Sequence, residues 1–315
     1  MRINPVRSIL VASAIVAFAV SIGGCNYVVP PLELGTPTPM VDDAGWGGIV
    51  NDVTESGGAL HVDLSIVNNT GQWSAMDVSA STARLTDSGG GSNDCGKVFV
   101  GTSVFVNSAG LYLPPGFAMK AYTGGSLVAP EVQPLYVECA GVSKAAGQKL
   151  SISYKYISGD FNYYVASRQV SKTMTLNLDN VATDTTYPIA QQVASLQINK
   201  PGDALQAING CTITLAAVRR TDEGFEFDWA TTNPTTAKAY IHIGTPPVIG
   251  SDGVVYGFYR APNLPDPPVT KAGGEAGWTT TQAAPKDVTG FYVLVPIENR
   301  QVKYFISQVI EIADQ

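Results

Sequence analysis

The chain has 315 residues, 45% of them hydrophobic and only 14% charged, with 26 acidic against 19 basic side chains and a formal net charge of −7. That balance argues against gripping nucleic acid or anionic lipid through a basic patch. Low charge, 32 Gly and many Ser, Thr, Tyr and Val residues suit an exported β protein better than a helical cytosolic one.

Arg2 and Arg7 precede an uncharged apolar run, Ile9 to Ile22, which ends in small residues. A basic start, an apolar stretch and small residues before a break are the parts of a secretory signal peptide. The run is shorter than the roughly 18 residues a spanning helix needs. Ile22-Gly23-Gly24-Cys25 resembles the bacterial lipobox. The resemblance implies cleavage after Gly24 and a lipid on Cys25, hence a protein anchored to the cell membrane and facing away from the cytoplasm. Two or more acyl chains anchor stably, at about 0.8 kcal/mol per buried methylene. Residues 1–24 are then the leader and 25–44, with four prolines, an extended tether. The chain without its leader carries 17 basic and 26 acidic residues, a charge of −9.

Beyond the tether, period-two alternation dominates. Leu60, Val62, Leu64 and Ile66 share one face of a strand, with His61, Asp63 and Ser65 on the other. Phe225, Phe227, Trp229 and Thr231 repeat the pattern against Glu226, Asp228 and Ala230. Further strands are predicted at 150–156, 173–179, 291–295 and 302–312, with a weak helical period only at 189–198. The first two strands also match as a longer unit. Residues 53–68 align without a gap on 218–233, a separation of 165, and both end in Asn-x-Thr. A repeat at that distance predicts two copies of one domain. "PLYVECAG" before "QKLSISYKYI", and "GFYVLVPIENRQ" before "VKYFISQVIEI", read as the penultimate and last strands of each copy.

About seven short strands per copy with turns between them describe a β-sandwich. The arrangement, with the strand end "VNNTG", resembles the immunoglobulin-like (telokin-like) domains of bacterial lipoproteins. The expected fold is therefore all-β: sandwiches at 45–181 and 205–315, joined by a linker at 182–204. Tyr136 stands three residues before Cys139 rather than two, which departs from an antibody-type tyrosine corner.

With Cys25 lipidated, Cys95, Cys139 and Cys211 remain, and outside the cytoplasm thiols tend to pair. Cys95 and Cys139 fall in the same copy, and Cys139 shares the inward parity of Leu135 and Val137. They are the expected disulfide, although three cysteines allow other pairings. Cys211 is left as a small buried hydrophobe.

Chemistry is sparse. His61 and His242 both fall on polar strand faces, and no GxSxG, SxxK, GxGxxG or GxxxxGK[ST] motif occurs. No CxxC or Cys/His spacing suggests zinc. Asp87, Asn93 and Asp94 in a Gly-rich loop offer oxygen ligands for Ca²⁺, but their spacing matches no calcium motif, and a solvated loop is the plainer reading. Tyr256, Phe258 and Tyr259 lead into a stretch rich in Pro and Gly, with Trp278 in its middle. It reads as a long loop whose aromatics either contact a protein or glycan partner or, in the case of Trp278, fold back as a cap over the sandwich edge. The expected role is non-catalytic binding or support. The alternative is an exported glycan or ester hydrolase with an accessory sandwich. A two-lobed solute receptor would need alternating βα units, and none is found.

Overall fold

The structure, a computed structural model, describes residues 45–98, 111–126, 129–158, 170–183, 196–206, 210–237, 239–240, 246–257, 269–299 and 304–312, all within one compact unit. No α-helix occurs among them. The leader, the tether and most of the weak helical stretch lie outside the described residues.

The first half supplies β1 (Trp46–Ser56), β2 (Ala59–Asn68), β3 (Ser74–Thr86), β4 (Ser92–Cys95), β5 (Lys97–Val98), β6 (Leu111–Leu113), β7 (Ala118–Met119), β8 (Ala121–Ser126), β9 (Ala129–Pro134), β10 (Tyr136–Ala140), β11 (Lys149–Ser158) and β12 (Val170–Asn177). Two sheets result, ordered β1-β2-β10-β5 and β12-β11-β3-β4. Leu60, Val62 and Leu64 of the first are fully buried in one core with Leu85, Leu150 and Ile152 of the second. Alternation therefore does what it should: one side of each strand leaves water, at roughly 1.5–3 kcal/mol for each large side chain.

The second half supplies β13 (Ile198–Asn199), β14 (Ala204–Gln206), β15 (Thr212–Arg220), β16 (Gly224–Asn233), β17 (Ala239–Tyr240), β18 (Val248–Ile249), β19 (Val254–Tyr256), β20 (Val269–Thr270), β21 (Gly274–Ala283), β22 (Phe291–Asn299) and β23 (Tyr304–Ile312). One sheet runs β14-β15-β16-β21, and the other β13-β23-β22-β18-β19-β8-β9. Thus β8 and β9, from the first half, complete a sheet of the second. Within the stretch read as a linker, β13 pairs in parallel with β23; β14, which begins at its last residue, lies along β15.

Register shows how far the repeat extends. The β1–β2 and β15–β16 hairpins each carry one bulge, between Val50 and Asp52 and between Leu215 and Ala217, positions separated by the same 165 residues. Gly45 and Gly210 precede them with φ of 75° and 76°, a region that costs an L side chain strain. Asn68 and Asn233 close both hairpins identically. The Asn68 carboxamide donates to the Gln72 and Leu113 carbonyls at 2.7 and 2.8 Å, and its Oδ1 accepts the Thr70 N–H and hydroxyl. The Asn233 carboxamide donates to the Ala237 and Lys271 carbonyls, and its Oδ1 accepts from Thr235 in the same two ways. Asn-x-Thr is therefore a structural corner, with both Asn side chains buried.

The remaining strands correspond by partner. β3 and β18 flank β11 and β22 respectively, and β4 and β19 lie outside them. The final hairpins are β11–β12 and β22–β23. This corrects the pairing of β10 with β22 expected from the sequence. β10 joins β2, so its counterpart is β21, which runs along β16. Alternating strands look alike whichever sheet they enter, so period alone could not distinguish them.

Candidate functional site

The expected site residues scatter. Cys25, Phe258, Tyr259 and His242 lie outside the described residues. Cys95 and Cys139 form a disulfide joining β4 to β10 across the first sandwich, 44 positions apart along the chain. Closing a loop of that size stabilises by about 3–4 kcal/mol in the loop-entropy picture. Cys211 is a free, fully buried thiol that donates to Asn233 Oδ1 at 3.4 Å, and burial pushes its pKa up.

Tyr256 is a core residue rather than a contact residue. It is buried on β19, its ring lies 6.0 Å from Phe291, and its hydroxyl donates to Asp252 at 2.6 Å. Burial first, then Asp252, holds that hydroxyl protonated beyond the ordinary tyrosine range. Nor is Trp278 on a loop. It is half-buried on β21, directly opposite Trp229, and packs against the second core. Its indole N–H has no hydrogen-bond partner, whereas that of Trp229 donates to Thr280 at 2.8 Å. The run Trp278 to Thr281 is rich in β formers, a signal obscured by the glycines and prolines around it.

In the Gly-rich segment, Asp94 belongs to β4 and pairs with Arg84 at 2.8 Å in solvent, while Asp87 accepts the Gly91 N–H within its turn. Arg84 holds the Asp94 carboxyl below its usual range. These carboxylates are occupied in ordinary surface and turn contacts. Among the described residues no His, Cys, Asp and Glu side chains converge in threes as a metal cage would require.

On the outer face of the two equivalent hairpin sheets, which no sequence motif marks, polar side chains do converge. In the first sandwich, His61 Nδ1 lies 4.0 Å from Glu138, its ring 5.7 Å from Tyr136, and Asp63 stands opposite Asp52. Burial, then the Asp52 charge, raises the Asp63 pKa, with His61 pulling it down. In the second sandwich, Arg219 occupies the place of Thr54 and Glu226 that of His61. Arg219 bonds both Glu226, at 3.0 Å, and Asp228, which also accepts from Thr279 at 2.8 Å. The guanidinium lowers the Asp228 pKa. The first face thus sets Asp52, Asp63 and Glu138 around His61, whereas on the second one guanidinium bridges two carboxylates. Among the described residues neither presents a nucleophile beside a base.

No protein-family model matches the chain, and no curated protein sequence does.

Proposed function

We propose that the chain is an exported, lipid-anchored protein in which two immunoglobulin-like sandwiches hold or bind a partner without catalysing a reaction. The observation that carries this reading is the buried Cys95–Cys139 disulfide. Such cross-links persist in oxidising compartments, the destination that the apolar leader and Cys25 imply. The immunoglobulin-like reading is supported by strand order. β1, β2 and β10 stand as A, B and E, facing β12, β11, β3 and β4 as G, F, C and C′, and the second half repeats the order. The non-catalytic role is supported by how the polar side chains are used: Asn68, Asn233, Tyr256 and Arg219 are all engaged in corners, core bonds and surface pairs. The partner, a protein or an envelope glycan, would meet the sandwich faces and the exposed side of Trp278.

Radiolabelled palmitate should enter the full chain expressed in bacteria and be absent from Cys25→Ser. A parent chain that takes up no label overturns the anchor. Partner capture by the full chain should change with Trp278→Ala, and an unchanged set of captured molecules removes that contact.

A further inference from the structure

One difference between the two halves is an insertion beside their second strands. On β2, Ile66 pairs with Met119 and Asp63 with Tyr136; at the matching positions of β16, Thr231 pairs with Ala276 and Asp228 with Thr279. Residues 277 and 278 bridge the second gap, where 120–135 bridge the first. Lys120 and Leu135 close the neck of the insertion: the Leu135 N–H donates to the Lys120 carbonyl at 2.9 Å, and the Leu64 N–H to the Leu135 carbonyl at 2.9 Å. The extra segment is the β8–β9 hairpin, Ala121 to Pro134.

That hairpin crosses to the other sandwich. Ala121 and Tyr122 pair in parallel with Val254 and Val255 of β19. The Lys120 N–H donates to the Gly253 carbonyl at 3.0 Å, and the Gly257 N–H to Thr123 Oγ1 at 2.6 Å. Consecutive strand residues point to opposite faces, and here each face is a different core. Ala121 is buried in the second core and Tyr122 in the first. The outer face of the second sandwich enters the first core too, through Ile249, Val255, Tyr292, Leu294 and Val309.

We propose that the β8–β9 hairpin is a clamp that makes the two sandwiches open as one cooperative unit, so that the disulfide of the first also stabilises the second, which has none among its described residues. A protein with a single opening event exchanges its slowest amides from both halves at one free energy.

Hydrogen exchange of the full chain, read by mass spectrometry on β2 and β16, tests this. Both strands should show the same slowest protection. Replacing Cys95 and Cys139 together by Ala should lower both by the same factor, a hundredfold or more by the loop-entropy estimate. Loss of all protection in both strands at once is the limiting form of that result. Protection of β16 that survives while β2 loses its own overturns the proposal. In a chain lacking Ala121–Pro134, with Lys120 joined to Leu135, the same cysteine replacement should lower β2 alone. If both strands still fall together there, face packing suffices and the hairpin is no clamp. Tyr122→Ala, which withdraws the ring from the first core and leaves the strand pairing, is read the same way should the deletion not fold.

Discussion

β11 and β22 occupy the same place in their sandwiches and have opposite surroundings. β11 alternates strictly: Leu150, Ile152, Tyr154 and Tyr156 are buried, while Ser151 and Ser153 face solvent and meet Thr175 and Thr173 through hydroxyl contacts of 3.1 and 2.9 Å. In β22, Phe291, Tyr292, Val293, Leu294 and Val295 are all buried, inward residues in the second core and outward ones against the first. The same strand position is thus a solvated sheet face in one copy and the middle of a three-layer stack in the other. The composition of a strand's outer face reports what covers it, independently of the topology that places it.

The comparison breaks most sharply by substitution at matched positions. Ser151 and Leu294 correspond, paired with Thr175 and Val309. Leu294→Ala should cost about 2–5 kcal/mol by the range for buried large-to-small changes, and Ser151→Ala should stay within about 0.5 kcal/mol. Urea unfolding of both variants measures this. Equal costs would mean that the outer face of β22 is not a core in solution.

A second test asks whether the shared corner is one device used twice. Asn68→Ala and Asn233→Ala each leave two backbone carbonyls and a Thr without their partner in a buried site. Each should cost about 2–3 kcal/mol, since stranding buried polar groups carries about 1–3 kcal/mol apiece and the neighbouring Thr-to-carbonyl bond remains. Thermal unfolding that finds one substitution costly and the other neutral would mean that the likeness is only geometric.

Much of this was legible in the residues. Strict alternation placed β2, β11, β16 and β23, and the 165-residue repeat located both hairpins with their Asn-x-Thr ends. Cysteine parity pointed to Cys95–Cys139. What escaped has physical reasons. The run "FYVLV" passes for one more alternating strand, although five consecutive apolar residues already describe a strand buried on both faces. β21 reads as loop in the sequence because "AGG" and "AAP" frame it, yet its residues pair with every position of β16. The β8–β9 hairpin left no periodic signal of its own. Pro130 and Pro134 discourage a strand unless it lies at a sheet edge, as β9 does. At the outer faces, His61 and Asp63 were assigned correctly to the polar side. Their neighbours Tyr136 and Glu138 come from a strand about 75 residues away, a juxtaposition that pairing register creates and periodicity cannot announce.

Those outer faces supply the smallest and most specific test. Asp63 has its folded pKa raised, chiefly by burial and then by Asp52. A carboxyl of that kind favours the native state while protonated, and the benefit is lost as pH rises through the folded pKa. At neutral pH its charge is therefore a net cost, and Asp63→Asn should raise stability there, by less than about 1 kcal/mol for a partly solvated group. The gain should vanish below the ordinary carboxyl range. Asp228 behaves in the opposite sense. Its bond to Arg219 lowers the folded pKa, so its contribution is present above the unfolded value and is lost as pH falls through the folded one. Asp228→Asn should therefore lower stability at neutral pH and become neutral in acid. Denaturant midpoints of the two variants should move away from the parent in opposite directions at pH 7, and at pH 3 the Asp63→Asn gain should be gone while the Asp228→Asn loss shrinks as pH falls towards the lowered folded pKa. A shift of the same sign for both at pH 7 would mean that Arg219 and His61 do equivalent work, and the electrostatic distinction between the two faces would fall.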